Sequence, residues 1–421
     1  NILWAMPAVS RCGPLASSDF WREQAWYYDL ARRWDGSFRY QGSPVGEEEH
    51  GKYSDWDNTG TYLLAYALPR KSLYLTGRKP SSVPALEASE VSEVIAAGRG
   101  YFPTKADEDR FCYENRSDND LLDGLSSWSP AVRKRSAKEL GKRDGTFTPV
   151  LLELLGSGDR YSRYGAAEAL GQVRPTSNVA GAVSSLTEAL REEDLCLRIL
   201  AAEALAAIGE PAKSAVPVML ERLAKTDPEN DPRGMEQRYL CFSLFNRRGG
   251  LIGRSLEGVD RALLLRAVRV GLQNEDGRAR GSLGTVYENL SYEEIKPILP
   301  AIHQAIVEPA PSGIMFASGI RLSGVALLAK HRLQEGMPLC IQIMEIDKWG
   351  KKNRISQCLK TLETYGAAAK SVLPELRQLE KELRSHSESR MLAGVTNQVQ
   401  SLIHKIDNAE GTVEMRSIND P

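Results

Sequence analysis

The chain has 421 residues, 42% of them hydrophobic and 26% charged, and its 54 basic side chains are cancelled almost one for one by 55 acidic ones. That length suits two or three globular domains or one extended repeat array. The charge balance argues against a dedicated nucleic-acid binder, which shows a basic excess, and no apolar run approaches the roughly 18–20 residues needed to span a bilayer.

Five of the seven tryptophans precede residue 60, which sets residues 1–80 apart as an aromatic segment. Phe20, Trp21, Trp26, Tyr27 and Tyr28 crowd a helix predicted over 20–30, with Ser18 or Asp19 as its N-cap. Asp35 followed by Gly36 signals a turn, a loop rich in Gly and Glu runs over 41–51, and Asp57 caps a second helix over 59–68 that Pro69 stops. Residues 73–76 read as a short extended piece. Asp35, Asp55 and Asp57 are the candidate catalytic groups, because paired carboxylates can protonate a glycosidic oxygen or a double bond. Trp34, Trp56 and Tyr53 would line the pocket. Turn and cap chemistry alone also places Asp at such positions.

Residues 81–118 form a connector, opened by the linker Ser81, Ser82, Val83, Pro84 and containing one amphipathic helix over 84–97 that ends at Gly98. From 119 to 407 the sequence repeats. Arg133, Arg163 and Arg198 are each followed by two small residues at +3 and +4 and by Leu at +7, and weaker copies start at Arg238, Arg280 and Arg321, with a seventh near Arg354. Successive arginines are 30, 35, 40, 42, 41 and 33 residues apart, the length of two helices and two turns. The +3, +4, +7 positions share one helix face, where small residues let neighbouring backbones approach. Second helices begin at Pro149, Pro217, Pro338 and Pro374, since proline is tolerated in a first turn. Gly141, Gly171 and Gly209 suit left-handed C-caps.

The arginine ladder has two readings. Either each guanidinium pairs with an acid near an inter-repeat turn, such as Asp159, Asp194 or Asp276, or the ladder is a cationic stripe for an acidic partner. An insertion over 246–255 carries Arg247, Arg248 and Arg254 beside three glycines, which could wrap an anion through backbone N–H groups; it lacks the P-loop ending, reads rather as a flexible inter-helix loop, and is the first choice for partner contact. Helices over 373–385 and 391–406 close the array, and residues 408–421 read as a disordered tail. The cysteines at 12, 112, 196, 241, 340 and 358 form no metal-ligand spacing, with Cys196, Cys241 and Cys358 expected on buried faces; His50, His303, His331, His386 and His404 are dispersed. No metal and no cofactor is expected.

The run Asp-x-x-x-Arg-x-x-Ala-Ala-x-Ala-Leu-Gly over 159–171, repeated over 194–205 without the final Gly, resembles HEAT-like repeats of the phycobilisome-lyase type. That resemblance implies an all-α fold, a right-handed α-solenoid of about seven helix pairs with a concave binding face, and does not imply lyase activity. The turn at Asp35, Gly36, Ser37 and Phe38, with Trp56 and Asp57 capping the next helix, resembles one helix pair of an (α/α) toroid, the fold of terpenoid cyclases, prenyltransferases and several polysaccharide-active enzymes. Residues 3–170 resemble a bacterial family joining the C-terminal end of a toroid to HEAT-like repeats. The rest of a toroid would lie upstream of Asn1, or the pair would serve as a cap.

The leading expectation is therefore an interaction scaffold that binds a protein partner without turnover. A toroid-type enzyme with a HEAT-like accessory domain is the alternative, and nucleic-acid binding ranks third. The compartment stays open between a bacterial cytoplasm and export after loss of an upstream segment; a soluble chain is expected in either.

Overall fold

The computed structural model describes residues 2–32, 38, 59–68, 85–99, 112–143, 146–173, 178–311, 316–348 and 350–419. Among them regular structure is helical, and the extended pairings are two isolated bridges, Arg32 with Phe38 and Leu333 with Arg416. No helix among the described residues is long and apolar enough to cross a membrane. The chain divides into two compact units, Asn1–Ser117 with Ser129–Arg135, and Asp118–Trp128 with Ser136–Pro421.

The first unit holds α1 (Ile2–Val9), α2 (Pro14–Ala31), α3 (Thr59–Ala67) and α4 (Ala88–Arg99). Helix α2 starts six residues before the predicted 20, because Gly13 (φ 98°) turns the chain and Pro14 opens the first turn. Asp19 is thus inside the helix, paired with Arg22, and is not a cap. Met6, Tyr28, Ala31, Phe38, Tyr62 and Ala65 form the core, with Phe20, Trp21 and Tyr66 packed against it. Phe38 stacks on Tyr62 at 5.2 Å, and Tyr28 meets Tyr62 edge-on at the same distance. Phe38 N–H donates to Thr59 Oγ1 at 2.9 Å, which ties Phe38 to the start of α3. In the connector, Tyr113 is fully buried beneath the Arg116 guanidinium, 3.9 Å from its ring.

The second unit begins with α5 (Asp118–Gly124); α6 (Pro130–Leu140) belongs to the first unit through Arg135 and to the second beyond it. Then follow α7 (Thr148–Leu155), α8 (Arg160–Gln172), α9 (Val179–Ala189), α10 (Leu195–Ile208), α11 (Val216–Leu223), α12 (Met235–Phe245), α13 (Arg261–Gly271), α14 (Gly277–Ser282), α15 (Gly284–Tyr287), α16 (Tyr292–Ile295), α17 (Leu299–Val307), α18 (Ser318–Lys330), α19 (Gly336–Gln342), α20 (Lys351–Glu363), α21 (Leu373–Ser385) and α22 (Ser389–Asp407). The arginine-bearing helices pack in series, α8 on α10, α10 on α12, α12 on α14, α14 on α18, α18 on α20 and α20 on α22. Second helices lean on them: α7 on α8, α9 on α10, α11 on α12, α17 on α18, α19 on α20 and α21 on α22.

Caps explain where these helices start. Asp159, Asp194, Asp260 and Asp276 each accept a backbone N–H from the first turn they precede. Proline opens α7, α11 and α21. The glycines divide differently from expectation. Gly209 has φ 78° and ends α10, but Gly171 lies inside α8, where an added Cβ would stand 2.9 Å from Ala204 Cα. At Gly141 a Cβ would meet the Gln172 carbonyl oxygen at 2.6 Å. Both are glycine because backbones touch there, and neither is a left-handed cap. The copy at Arg280 is broken at Leu283 into α14 and α15. Hydroxyls take over carbonyls at this point, Ser282 donating to Cys241 O and Thr285 to Phe245 O, which joins the broken helix to α12.

Two further expectations fail. Cys241 and Cys358 are buried, but Cys196 is exposed in the first turn of α10. The tail beyond α22 is docked at Arg416 and Ser417. Arg416 N–H donates to Arg332 O and Gln334 N–H to Arg416 O, both at 2.9 Å, while Ser417 Oγ donates to Glu335 at 2.6 Å. Main-chain hydrogen bonds hold it, so its polar composition gave no sign of order.

Candidate functional site

Asp35, Asp55 and Asp57, with Trp34, Trp56, Tyr53 and His50, lie outside the described residues. Phe20, Trp21, Tyr28, Phe38, Tyr62 and Tyr66 of that segment pack against one another as core, whereas Trp26 is exposed.

The ladder arginines are drawn inward. Arg133, Arg198, Arg280 and Arg321 are each buried, and Arg354 with them. The Asp-x-x-x-Arg spacing explains how. The aspartate caps the helix, and the arginine one turn later points back across the turn that precedes it. Arg163 Nε donates to Leu155 O at 3.1 Å and its fork reaches Glu192 at 2.9 Å. Arg198 donates to Glu192 O and Glu193 O, both at 2.8 Å, and pairs with Glu236 at 3.0 Å. Arg238 pairs with Asp276 at 3.2 Å. Arg280 donates to Asn274 O and to Glu308 O, and Arg321 to Ile306 O and Glu345. Arg354 donates to Glu345 O at 2.6 Å. Burial pulls the Arg280 and Arg354 guanidinium groups below their ordinary range, with Glu308 and Glu345 opposing it.

The acids that meet these arginines are mostly glutamates further along the chain: Glu192 and Glu345 in turns, and Glu236 in the first turn of α12. Asp159 and Asp194 are occupied otherwise. Asp159 accepts from Ser162 N–H and Oγ, and those hydrogen bonds hold its carboxyl below the usual range. Asp194 accepts from Leu197 N–H and from the Tyr164 hydroxyl. Only Asp276, among the three acids expected, carries a ladder pair. Glu236 is the most connected of the acids missed: it takes both arms of Arg222, at 2.7 and 2.8 Å, as well as Arg198. Nothing in the local pattern distinguishes it, since its partners lie 14 and 38 residues upstream.

The insertion over 246–255 is wound, not slack. Gly250 N–H donates to Asn246 O, Leu251 N–H to Ser243 O and Ile252 N–H to Leu244 O, and the side chains of Leu251 and Ile252 are buried. A Cβ on Gly253 would stand 2.3 Å from Asn246 O, so the coil admits only glycine there. Arg247, Arg248 and Arg254 are left exposed on its rim. Arg247 pairs with Glu288 at 2.8 Å across an exposed gap, and Arg254 donates to Arg247 O at 3.2 Å.

On the second-helix side, a groove of about 620 Å³ opens between α19 and α21. Ile341, Met344 and Leu379 give it an apolar floor, and Asp347, Glu375 and Glu382 an acidic rim. Among the described residues no group of three or more His, Cys, Asp or Glu side chains is arranged to hold a metal ion.

Residues 1–77 match the family described as domain of unknown function (DUF6288), and residues 119–194 and 148–234 match HEAT repeats. No curated protein matches the sequence. Residues 119–234 thus form a HEAT-like helical repeat, and the serial packing of α8 on α10 continues to α22.

Proposed function

We propose that the chain is a non-catalytic interaction scaffold, a right-handed α-solenoid of about seven HEAT-like helix pairs whose concave face receives a protein partner. The observation that carries this reading is the fate of the ladder arginines. Arg198 and Arg321 are buried and paired, and the half-buried Arg163 and Arg238 are paired too, each with an acid of a later helix pair or turn, so their chemistry goes into joining repeats. What the second unit offers to solvent is a set of open troughs between pairs and the three exposed arginines of the 246–255 coil. In this reading Arg247, Arg248 and Arg254 touch the partner. HEAT repeats commonly serve protein interaction, and the apolar floor with a charged rim between α19 and α21 is the anatomy of a protein interface.

The aromatic segment 1–80 acts in this reading as a terminal helical module, and the toroid-type enzyme of a bacterial family is the competing assignment for it. Amide replacement of Asp35, Asp55 and Asp57 removes that alternative if every activity detected in the intact chain survives.

Cross-linking and mass measurement in a native lysate test the scaffold. The expected result is a complex of defined stoichiometry that the triple reversal Arg247→Glu, Arg248→Glu, Arg254→Glu abolishes. A chain that stays monodisperse and forms no cross-linked complex refutes the proposal.

A further inference from the structure

A cationic trough of about 490 Å³ runs between the C-terminal ends of α18 and α20. Lys330 and Arg332 stand on one wall, Gln357 and Lys360 on the other, and Ala326 and Ala329 keep the floor low. No lining residue is acidic. Thr361 and Thr364 also line it, but their hydroxyls donate to Gln357 O and Thr361 O and present lone pairs only. Lys330 Nζ is partly engaged by the Glu288 and Leu290 carbonyls. The side chains of Arg332 and Lys360 make no ion pair among the described residues.

Arg332 occupies a position where an arginine is costly. It follows α18 with φ 55°, its N–H bonding to Ala329 O and Leu333 N–H reaching back to Leu328 O at 2.8 Å, so the helix ends in a left-handed residue. Glycine fills such a site without a Cβ clash, whereas another residue gives up stability there. Cations in the last turn of a helix offset its dipole, and that accounts for Lys330 and Lys360. It does not reach Arg332, which lies beyond the helix end.

The trough also continues the edge that carries the coil arginines. Glu288 joins them: its carboxylate takes Arg247, and its carbonyl takes Lys330. A run of contacts thus leads from Arg254 through Arg247 and Glu288 to Lys330, which shares the trough with Arg332 and Lys360. The donors are spread along an open trough and do not converge on one point. No helix N-terminus contributes to the lining, so the arrangement favours an extended run of carboxylates over a compact phosphate.

We propose that the trough between α18 and α20 binds an acidic, carboxylate-rich segment of the protein partner. This rests on the scaffold reading and names the chemistry of its partner.

The probe is a short fluorescent Glu-rich peptide, titrated against the full chain by anisotropy, with a Lys-rich peptide, inorganic phosphate and a short DNA duplex as comparisons. Binding of the Glu-rich peptide is expected, weakening as salt rises. Arg332→Gly and Lys360→Gln should each weaken it about threefold, and together about tenfold, as separate exposed charges do. Because Arg332→Gly relieves the left-handed strain, its thermal midpoint should not fall, and the weakening cannot be laid to unfolding. Undiminished peptide binding by the double variant overturns the proposal. So does preferential binding of phosphate or DNA. If the cross-linked complex forms unchanged in the double variant, the trough assignment is wrong and the scaffold stands. If the wild-type chain forms no complex at all, the scaffold reading fails, and the partner assignment fails with it.

Discussion

Glu236 is the strongest test of how the repeats are joined. Its carboxylate is buried and receives Arg198 from α10 and both arms of Arg222 from α11, while its own N–H donates to Asp231 at 2.8 Å. One side chain therefore ties three consecutive helices. Glu236→Ala leaves Arg198, only 5% exposed, with two carbonyls and no counter-charge. Removing one member of a buried ion pair costs about 3–5 kcal/mol, because the other charge stays desolvated. Arg222 is 25% exposed and recovers solvation by a small shift, so it adds little to that loss. Urea unfolding followed by far-UV circular dichroism measures the cost, and hydrogen exchange locates it: amides of α10 to α12 should lose protection before those of α20 to α22. Replacing both partners, Arg198→Met with Glu236→Leu, should recover most of the loss, since an apolar pair of similar volume tolerates burial. A loss below about 1 kcal/mol for Glu236→Ala, the value of an exposed pair, refutes the view that this cluster is the joint.

Three other outcomes follow from the same packing. Gly165→Ala would place a Cβ 2.1 Å from the Leu125 carbonyl oxygen, so it should destabilise by about 2–3 kcal/mol, read as a lowered thermal midpoint; an unchanged midpoint contradicts the close approach of α8 to the turn after α5. The Asp276 carboxyl is held below its ordinary range, first by its hydrogen bond to Arg278 and against the pull of burial, and its contribution is complete above about pH 4 and lost as pH falls through the depressed folded value. Asp276→Asn should accordingly flatten the acid side of the stability profile, and a profile as steep as wild type assigns that loss elsewhere. Burial pushes the Cys241 thiol up to about 12, while Cys196 is exposed, so a thiol reagent should modify Cys196 in the folded chain and Cys241 only with unfolding; fast native labelling of Cys241 would show that α12 opens locally.

Much of the second unit is legible in the sequence because cap and ladder share a fixed spacing. Asp159 to Arg163 and Asp194 to Arg198 each span one helical turn, and small residues at Ala166, Ala167, Ala201 and Ala202 mark the buried face. The partners of the arginines are not legible. Glu192, Glu236 and Glu345 come from 29, 38 and 24 residues further along the chain, a distance that varies from repeat to repeat. Glycine is ambiguous by nature: Gly171 and Gly209 both follow an apolar run of sequence, yet one lies within α8 and permits contact and the other ends α10 in a turn. Cys196 misleads because it neighbours the apolar stripe without belonging to it. The trough is invisible for a different reason. Lys330, Arg332 and Lys360 become one feature only when α18 lies beside α20, and the left-handed backbone of Arg332 leaves no mark on its letter.

The docked tail closes a ring in the chain. Ser417 returns to Glu335, 82 positions upstream, and the backbone bridge beside it fastens Arg416 to Arg332 and Gln334. Helices α19 to α22 are enclosed by that clasp. An unclasped array frays from its ends, whereas this end must release the clasp before α22 peels away. Melting should then be polarised, entering from elsewhere and reaching the carboxyl-terminal ring last.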